Sequence, residues 1–265
     1  MPVLSRPEGD LWFDEWGHGH PNRLLVINGS NTALDDLAPL LQFVGRDFDV
    51  VSFDHRGFGR SAPSDGPYSM IDVAEDARAV IAAMSWQSCS VMGISFGGMV
   101  AQLLAIMNPS LVRRLALVCT SSGGEGGASF PLHELLALDE TERSERLVLL
   151  TDTRFTPEWL DEHPEDRVFV AARGSRPGAQ QVEAIRWQMA ARRDHDAYAR
   201  LGEISCPTIV ASGTFDGIAP PENGRRMSAR IPGAVYREYQ GGHAFFVQDR
   251  TALPEILGFL SGGAE

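Results

Sequence analysis

No stretch of this 265-residue chain approaches the ~20 consecutive apolar residues that a membrane helix requires, so a spanning segment is not expected. Cysteine is scarce and odd in number. Cys89, Cys119 and Cys206 lie far apart, each in an apolar strand-like segment, which points to buried thiols in a reducing compartment and away from a disulfide framework. Positive charge is also short: 23 basic against 35 acidic residues leave a net charge of -12. That balance argues against a nucleic-acid partner, whose phosphates need a basic surface. The metal motifs H-E-x-x-H and C-x-x-C are missing, and no carboxylate cluster has ligand spacing, so no metal is expected. Gly57-Phe58-Gly59 lacks the third glycine of a dinucleotide fingerprint, so no cofactor is expected either. Met1 to Glu8 shows no basic segment followed by an apolar one, which leads to the expectation of a cytoplasmic protein without a secretion signal. Internal repeats and low-complexity tracts are lacking, and oligomeric state has no signature.

What the chain does contain is ordinary globular material, with 43% hydrophobic and 22% charged residues. Strand-like and helix-like segments alternate, the pattern of an α/β fold with a mostly parallel sheet and helices on both faces. Strands are expected at Leu11 to Glu15, Leu24 to Ile27, Val50 to Phe53, Cys89 to Met92, Leu115 to Cys119, Thr208 to Ser212 and Val235 to Tyr239. Helices are expected at Leu34 to Val44, Met70 to Met84, from the Gly93–Gly98 segment to Met107, near Pro221 to Arg230, and from Ala252 to Leu260. Thr251 is expected to cap the last of these, with Pro254 tolerable in its first turn. His18 and His20 flank Gly19 in an expected early hairpin turn and favour a surface role. The alternation breaks at Ser121-Ser122-Gly123-Gly124-Glu125-Gly126-Gly127 and resumes after Ile204-Ser205-Cys206-Pro207. Between them helical periodicity dominates, as in Glu134 to Leu138 and Val182 to Tyr198. The resulting division is a core of residues 1–121 and 202–265 with a helical cap at 122–201.

Gly93-Ile94-Ser95-Phe96-Gly97-Gly98 carries most of the chemical information. A β-prone run leads in and a helix-like run leads out, the context of a G-x-S-x-G nucleophile elbow. Gly93 and Gly97 lack a Cβ, so strand and helix can pack closely while the serine sits in a strained turn. A serine hydroxyl is a poor nucleophile until a base takes its proton, and the base needs an orienting carboxylate. The required chain order is Ser, then acid, then His. Asp216 follows the strand-like Ile209 to Ser212, and His243 follows the last strand, so both fall at the carboxyl ends of parallel strands. Ser95, Asp216 and His243 are therefore the candidate catalytic residues.

With these motifs the chain resembles the α/β-hydrolase superfamily over nearly its whole length outside the cap. Asp54-His55-Arg56-Gly57-Phe58-Gly59-Arg60-Ser61 is similar to the family's D-x-R-G-x-G-x-S turn, which implies a structural network around Asp54 and Arg56. Asp54 precedes the nucleophile and is in the wrong place for the triad acid. Gly93 to Gln102 is similar to the enol-lactonase-like and esterase branches. The family usually has His-Gly after the third strand, where this chain has Asn28-Gly29-Ser30-Asn31. Asparagine can satisfy backbone groups in a turn, so the loop is expected to keep its shape. The resemblance implies an oxyanion hole from the backbone N–H groups of Ser30 and Phe96, and Asn31 is a candidate substrate donor or a solvent-facing turn residue.

The expected activity is hydrolysis of a small-to-medium carboxylic ester or lactone, with a small-molecule substrate and no cofactor. The same triad in the family also implies C–C bond hydrolysis or cofactor-free perhydrolysis as alternatives, and the fold also serves as a non-turnover receptor. Dehalogenases and epoxide hydrolases are disfavoured, because their relatives place Asp where Ser95 stands. In the cap, Phe130, Phe155, Trp159, Phe169, Trp187 and Met189 are expected mostly to form its own small core, with Trp187 and Met189 the candidates to line a pocket. Arg192 to Asp196 reads as a solvated charged stretch, with an arginine to bind a substrate carboxylate as the less favoured reading. Because the triad lies outside it, the cap is expected to set specificity while leaving the triad geometry untouched.

Overall fold

A computed structural model describes residues 3–171 and 179–262. Its strands are β1 (Val3–Leu4), β2 (Leu11–Trp16), β3 (Arg23–Ile27), β4 (Asp49–Phe53), β5 (Cys89–Ile94), β6 (Val112–Val118), β7 (Thr208–Gly213) and β8 (Val235–Tyr239). Its helices are α1 (Leu34–Val44), α2 (Met70–Ala83), α3 (Phe96–Met107), α4 (Glu140–Thr151), α5 (Pro157–Glu162), α6 (Arg167–Ala171), α7 (Ala179–Arg193), α8 (Pro221–Arg230), α9 (Phe245–Gln248) and α10 (Ala252–Ser261). The strands make one eight-stranded sheet in the order β1-β2-β4-β3-β5-β6-β7-β8. From β4 to β8 every neighbouring pair is parallel, and β2 joins β4 antiparallel. This is the α/β-hydrolase fold expected from the sequence.

The central strands read as unbroken apolar runs because both of their faces are covered. Their two-residue period sorts side chains onto opposite faces. Leu25, Ile27, Val51, Phe53, Val91 and Leu117 enter one core cluster with α2 and α3. Leu24, Val26, Val50, Met92, Ala116 and Val118 enter the other, with α1 and α10. Helix starts follow local capping chemistry. At α2, Ser69 accepts from the Asp72 N–H at 3.3 Å, and Asp72 accepts from the Ser69 N–H at 2.7 Å, a reciprocal box. Cys89, Cys119 and Cys206 are free and buried. Among the described residues no helix is long and apolar enough to cross a membrane.

Several local expectations are corrected. His18 and His20 do not sit in a hairpin: β2 pairs with β4, so the 17–22 segment crosses over to a strand two places away. His18 instead lies 3.6 Å from Glu15 on the surface. Thr251 does not cap α10; its backbone is already helical, and its hydroxyl donates to Asp249 at 2.7 Å. β1 and α9 were not anticipated, being too short to show a period. Between β6 and β7 the described residues contain helices and no strand; residues 172–178 of the expected cap fall outside the description.

The turn after β4 is tied down as anticipated. Asp54 accepts from the N–H groups of Leu34 at 2.7 Å and Arg60 at 2.9 Å, joining the start of α1 to the turn. Arg56 grips Asp76 on α2 through two bonds of 2.8 and 2.7 Å, and Arg6 donates to the same carboxylate. With Arg56 and Asp76 both buried, removing the guanidinium leaves a carboxylate that Arg6 alone must compensate. Arg56→Met should therefore cost about 3 kcal/mol of unfolding free energy, measured by urea titration. A loss below about 0.5 kcal/mol, the size of a surface ion pair, would show that Arg6 suffices.

Candidate active site

Ser95 is the hinge between β5 and α3, with φ 55° and ψ -115°, a left-handed conformation that costs a side-chain-bearing residue on the order of 1–3 kcal/mol. Its neighbours hold it there. The Ser95 N–H donates to the Val118 carbonyl at 2.8 Å, and its own carbonyl accepts from the Thr120 hydroxyl at 2.7 Å. A Cβ at Gly97 would overlap the carbonyl oxygens of Ile27 and Asn28, so only glycine lets α3 come this close to β3.

The structure brings Ser95, His243 and Asp216 into one hydrogen-bonded chain. The Ser95 hydroxyl lies 2.9 Å from His243 Nε2, and His243 Nδ1 lies 2.7 Å from Asp216 Oδ2. The other Asp216 oxygen accepts two backbone N–H groups, from Ile218 and Ala219, each at 2.8 Å. Fixed in this way, the carboxylate presents one oxygen to the imidazole and holds it with Nε2 toward the hydroxyl. Such a chain can pass the serine proton to Nε2 while the carboxylate stabilises the resulting imidazolium.

Opposite Ser95 runs the Asn28–Asn31 loop. A methyl on Gly29 would stand 3.7 Å from Ser95 Cβ, so this loop passes close to the serine side chain. Asn28 is fully buried and donates from Nδ2 to the Thr32 carbonyl at 2.8 Å, closing the loop as anticipated for an asparagine there. Phe96 is the first residue of α3, so its N–H has no carbonyl one turn earlier to bind. No described residue accepts from the backbone N–H of Ser30 or Phe96. The Asn31 side chain is exposed, and its backbone takes the left-handed φ of 57°.

Two residues of this neighbourhood were not singled out from the sequence. His55 is wedged edge-on between Phe53 and Phe96 and bonds the Asn28 carbonyl at 3.0 Å through Nε2. Burial holds its pKa down at about 4, so it is a neutral prop under the loop. Gln188, fully buried on α7, accepts the Asn31 N–H at 2.9 Å, and its Nε2 has no partner. It lies between the two residues chosen as pocket candidates. Met189 is buried and Trp187 half-buried, and neither makes a polar bond to the loop. The inward face of α7 was the available signal, since Ala184, Gln188 and Ala191 recur at helical spacing.

The residues between β6 and β7 also touch the loops that carry Asp216 and His243. The Thr151 carbonyl accepts from His243 N–H at 2.5 Å, and the Leu150 carbonyl from Gly217 N–H at 3.0 Å. A Cβ on Gly242 would overlap that Thr151 carbonyl. Buried Asp152 is gripped by Arg154 at 2.9 and 2.6 Å and by Gln248 at 3.1 Å, and Gln248 in turn accepts from Gly242 N–H at 2.8 Å. The expectation that this segment leaves the triad alone is overturned, because the end of α4 holds both the acid loop and the histidine loop. Its expected private core is corrected too: Leu135 and Leu150 pack with Ile218 of the acid loop, and Phe130 joins them. Phe155 is buried, Phe169 half-buried, and Trp159 stacks on His163 at 3.8 Å. Arg192 and His195 are buried, so the reading of this stretch as solvated holds only for Arg193, Asp194 and Asp196. Among the described residues no cluster of three His, Cys, Asp or Glu could hold a metal.

A family profile described as alpha/beta hydrolase fold matches residues 22–249. The chain belongs to the α/β-hydrolase family. Among curated relatives, this hydrolase is 28% identical to a Caulobacter segnis protein named "Putative carbamate hydrolase RutD", over 92% of this chain and 95% of the relative. It is 26% identical to a poly(3-hydroxyalkanoate) depolymerase from Ectopseudomonas oleovorans, covering 92% and 86%. Of solved structures, a hydrolase from Pseudomonas aeruginosa PA01 superposes with a TM-score of 0.79 at 26% identity, covering 98% of both chains. The enol-lactonase from Burkholderia xenovorans LB400 has a TM-score of 0.80 at 20% identity over 98% and 99%, a likeness of fold.

Two measurements check this site. Asp152→Ala leaves the partly exposed Arg154 and Gln248 without their shared acceptor and should cost about 1–2 kcal/mol, with broadening of the hydrogen-bonded His243 imidazole proton signal in NMR. An unchanged signal would separate the segment from the histidine loop. His55 and His195 both have pKa values depressed by burial to about 4. The unfolded chain takes up protons below about 6.5 while the folded protein does not, so their contribution is intact above that pH and is lost as pH falls toward 4. Unfolding free energy should drop across this window by up to about 3 kcal/mol per histidine, and His55→Asn should flatten the slope.

Proposed function

We propose that this protein hydrolyses a small-to-medium carboxylic ester or lactone through an acyl-enzyme on Ser95. The observation that carries the reading is the continuous hydrogen-bonded chain from the Ser95 hydroxyl through His243 to Asp216, raised on the strained turn between β5 and α3. Ser95 Oγ attacks the carbonyl carbon as its proton passes to His243 Nε2. The carbonyl oxygen gains the negative charge and is received by the N–H groups of Ser30 and Phe96. Collapse breaks the bond to the alcohol oxygen, which takes the proton from Nε2. A water, deprotonated by the same nitrogen, then attacks the acyl carbon and returns Ser95. In a lactone both products stay joined as one hydroxy acid.

The 122–201 segment acts in this reading as a cap that shapes the acyl pocket and also holds the acid and histidine loops. Three free buried thiols support a cytoplasmic setting. Relatives named "Putative carbamate hydrolase RutD" and "Poly(3-hydroxyalkanoate) depolymerase" support a reading within acyl transfer, so the test set includes an aryl carbamate beside esters and lactones.

A fluorophosphonate probe should add a single adduct at Ser95, read by intact mass and peptide mapping, and Ser95→Ala should abolish it. An adduct on any other residue would remove Ser95 from the mechanism. Gln188→Leu keeps the side-chain volume but releases the Asn31 N–H, so kcat/KM for 4-nitrophenyl acetate should fall by about tenfold, mainly through kcat. That is a fraction of the ~10²–10³ lost when an oxyanion donor is removed outright. A change confined to KM would place Gln188 in substrate binding and not in holding the loop.

A further inference from the structure

A cavity of about 90 Å³ lies between α3, the segment after β6 and the end of α7, with Met99, Ser129, His133, Arg192 and His195 among its walls. Arg192 is only 7% exposed, and its side chain's one bond within the described residues runs from Nη1 to the Phe130 carbonyl at 2.9 Å. Its Nη2 is buried and has no partner. No described carboxylate pairs with it, in contrast to Arg193 beside it, which is exposed and bonds Asp194 at 2.8 and 3.1 Å. Burial pulls the Arg192 guanidinium down to about 10, with no negative charge among the described residues holding it up. His195, 6% exposed, also brings an unpartnered Nε2, and its ring is neutral because burial holds its pKa near 4. The cavity wall thus carries Arg192 without a counter-charge, Arg193 already paired with Asp194, and the polar groups of Ser129, His133 and His195, with no acidic side chain among its described residues.

A buried cation without a counter-charge costs several kcal/mol, and water in the cavity would not neutralise it. A planar anion would, because the guanidinium fork matches two carboxylate oxygens. The volume suits a single carboxylate group, and one wall residue, Met99, stands one helical turn along α3 from Ser95, with its N–H on the Ser95 carbonyl at 3.3 Å. We propose that this cavity is a carboxylate-binding site, in which Arg192 supplies the charge and His195 and His133 supply further donors. The carboxylate is either the acid group of the substrate or a free carboxylate anion. Only the first source rests on the hydrolase reading above.

The test titrates sodium acetate into the wild-type protein at constant ionic strength, following the Arg192 Nε–H and His195 ring resonances by NMR. In parallel, kcat/KM is measured for 4-nitrophenyl hydrogen succinate and for its methyl diester, in wild type and in Arg192→Met. Saturable shifts of both resonances, with the acid-to-diester preference falling about tenfold to a hundredfold in Arg192→Met, support a substrate carboxylate. The same shifts with a preference indifferent to Arg192 support a free carboxylate. Resonances that fail to move in a saturable way up to about 100 mM acetate, a free-energy scale of only about 1.4 kcal/mol, overturn the proposal. The titration needs no variant, so it decides even if Arg192→Met does not fold. It also needs no turnover: failure to hydrolyse either ester would count against the hydrolase reading and leave the binding result standing.

Discussion

The close approach of α3 to the sheet is the constraint from which the rest of the site follows. Gly97 lies against the Ile27 and Asn28 carbonyl oxygens, leaving no room for a side chain. With α3 seated there, the chain must reverse within a single residue after β5, and Ser95 absorbs the reversal at φ 55°. The strain is held by the Val118 carbonyl on one side and the Thr120 hydroxyl on the other, both on the β6 side of the turn. The hydroxyl direction is therefore set by backbone packing, not by the serine's own rotamer preference. The same packing brings the Asn28–Asn31 loop opposite the serine, because that loop leaves β3 at the point where Gly97 touches it. One contact between two backbones thus determines both where Ser95 sits and which loop lies opposite it.

The remaining two residues of the chain are positioned by a second device, which comes from outside the sheet. Asp216 and His243 sit on loops that β7 and β8 deliver to the same edge, but loops of this kind have few contacts of their own. The carbonyls of Leu150 and Thr151, unpaired at the end of α4, accept one N–H from each loop. Helix ends leave such carbonyls free, and here they become the brace. Asp152, immediately after, extends the brace through Gln248 to Gly242. A segment inserted between β6 and β7 is in this way part of what keeps imidazole and carboxylate in register.

The extent to which this was legible follows the physics of each contact. Strands β3 to β8 and helices α1, α2, α8 and α10 follow from hydrophobic period and breakers, which are local properties. Ser95, Asp216 and His243 follow from type, order and their place at strand ends. By contrast, Gln188, Thr151 and Asp152 act through contacts 157, 92 and 96 residues away along the chain to Asn31, His243 and Gln248 respectively, and no local pattern marks them. The hairpin expected around His18 failed for a related reason. Two strands joined by a short turn usually pair, but β2 takes the edge of β4 and leaves β3 to the parallel core.

Buried charge shows the same division between what is paired and what is left open. The chain contains no lysine, so each of its buried cations is a guanidinium, which tolerates burial better than an ammonium because it is less strongly hydrated. Arg56, together with the partly exposed Arg6, meets the buried Asp76, and the partly exposed Arg154 meets the buried Asp152. Arg192 is buried as deeply as Arg56 yet has only a carbonyl. If structural stability alone had shaped that position, an apolar residue of similar volume would serve as well, since an unpaired buried charge is a net cost. The two arginine patterns therefore differ in kind: the paired ones complete the fold, and the unpaired one leaves charge available to a molecule the fold does not contain.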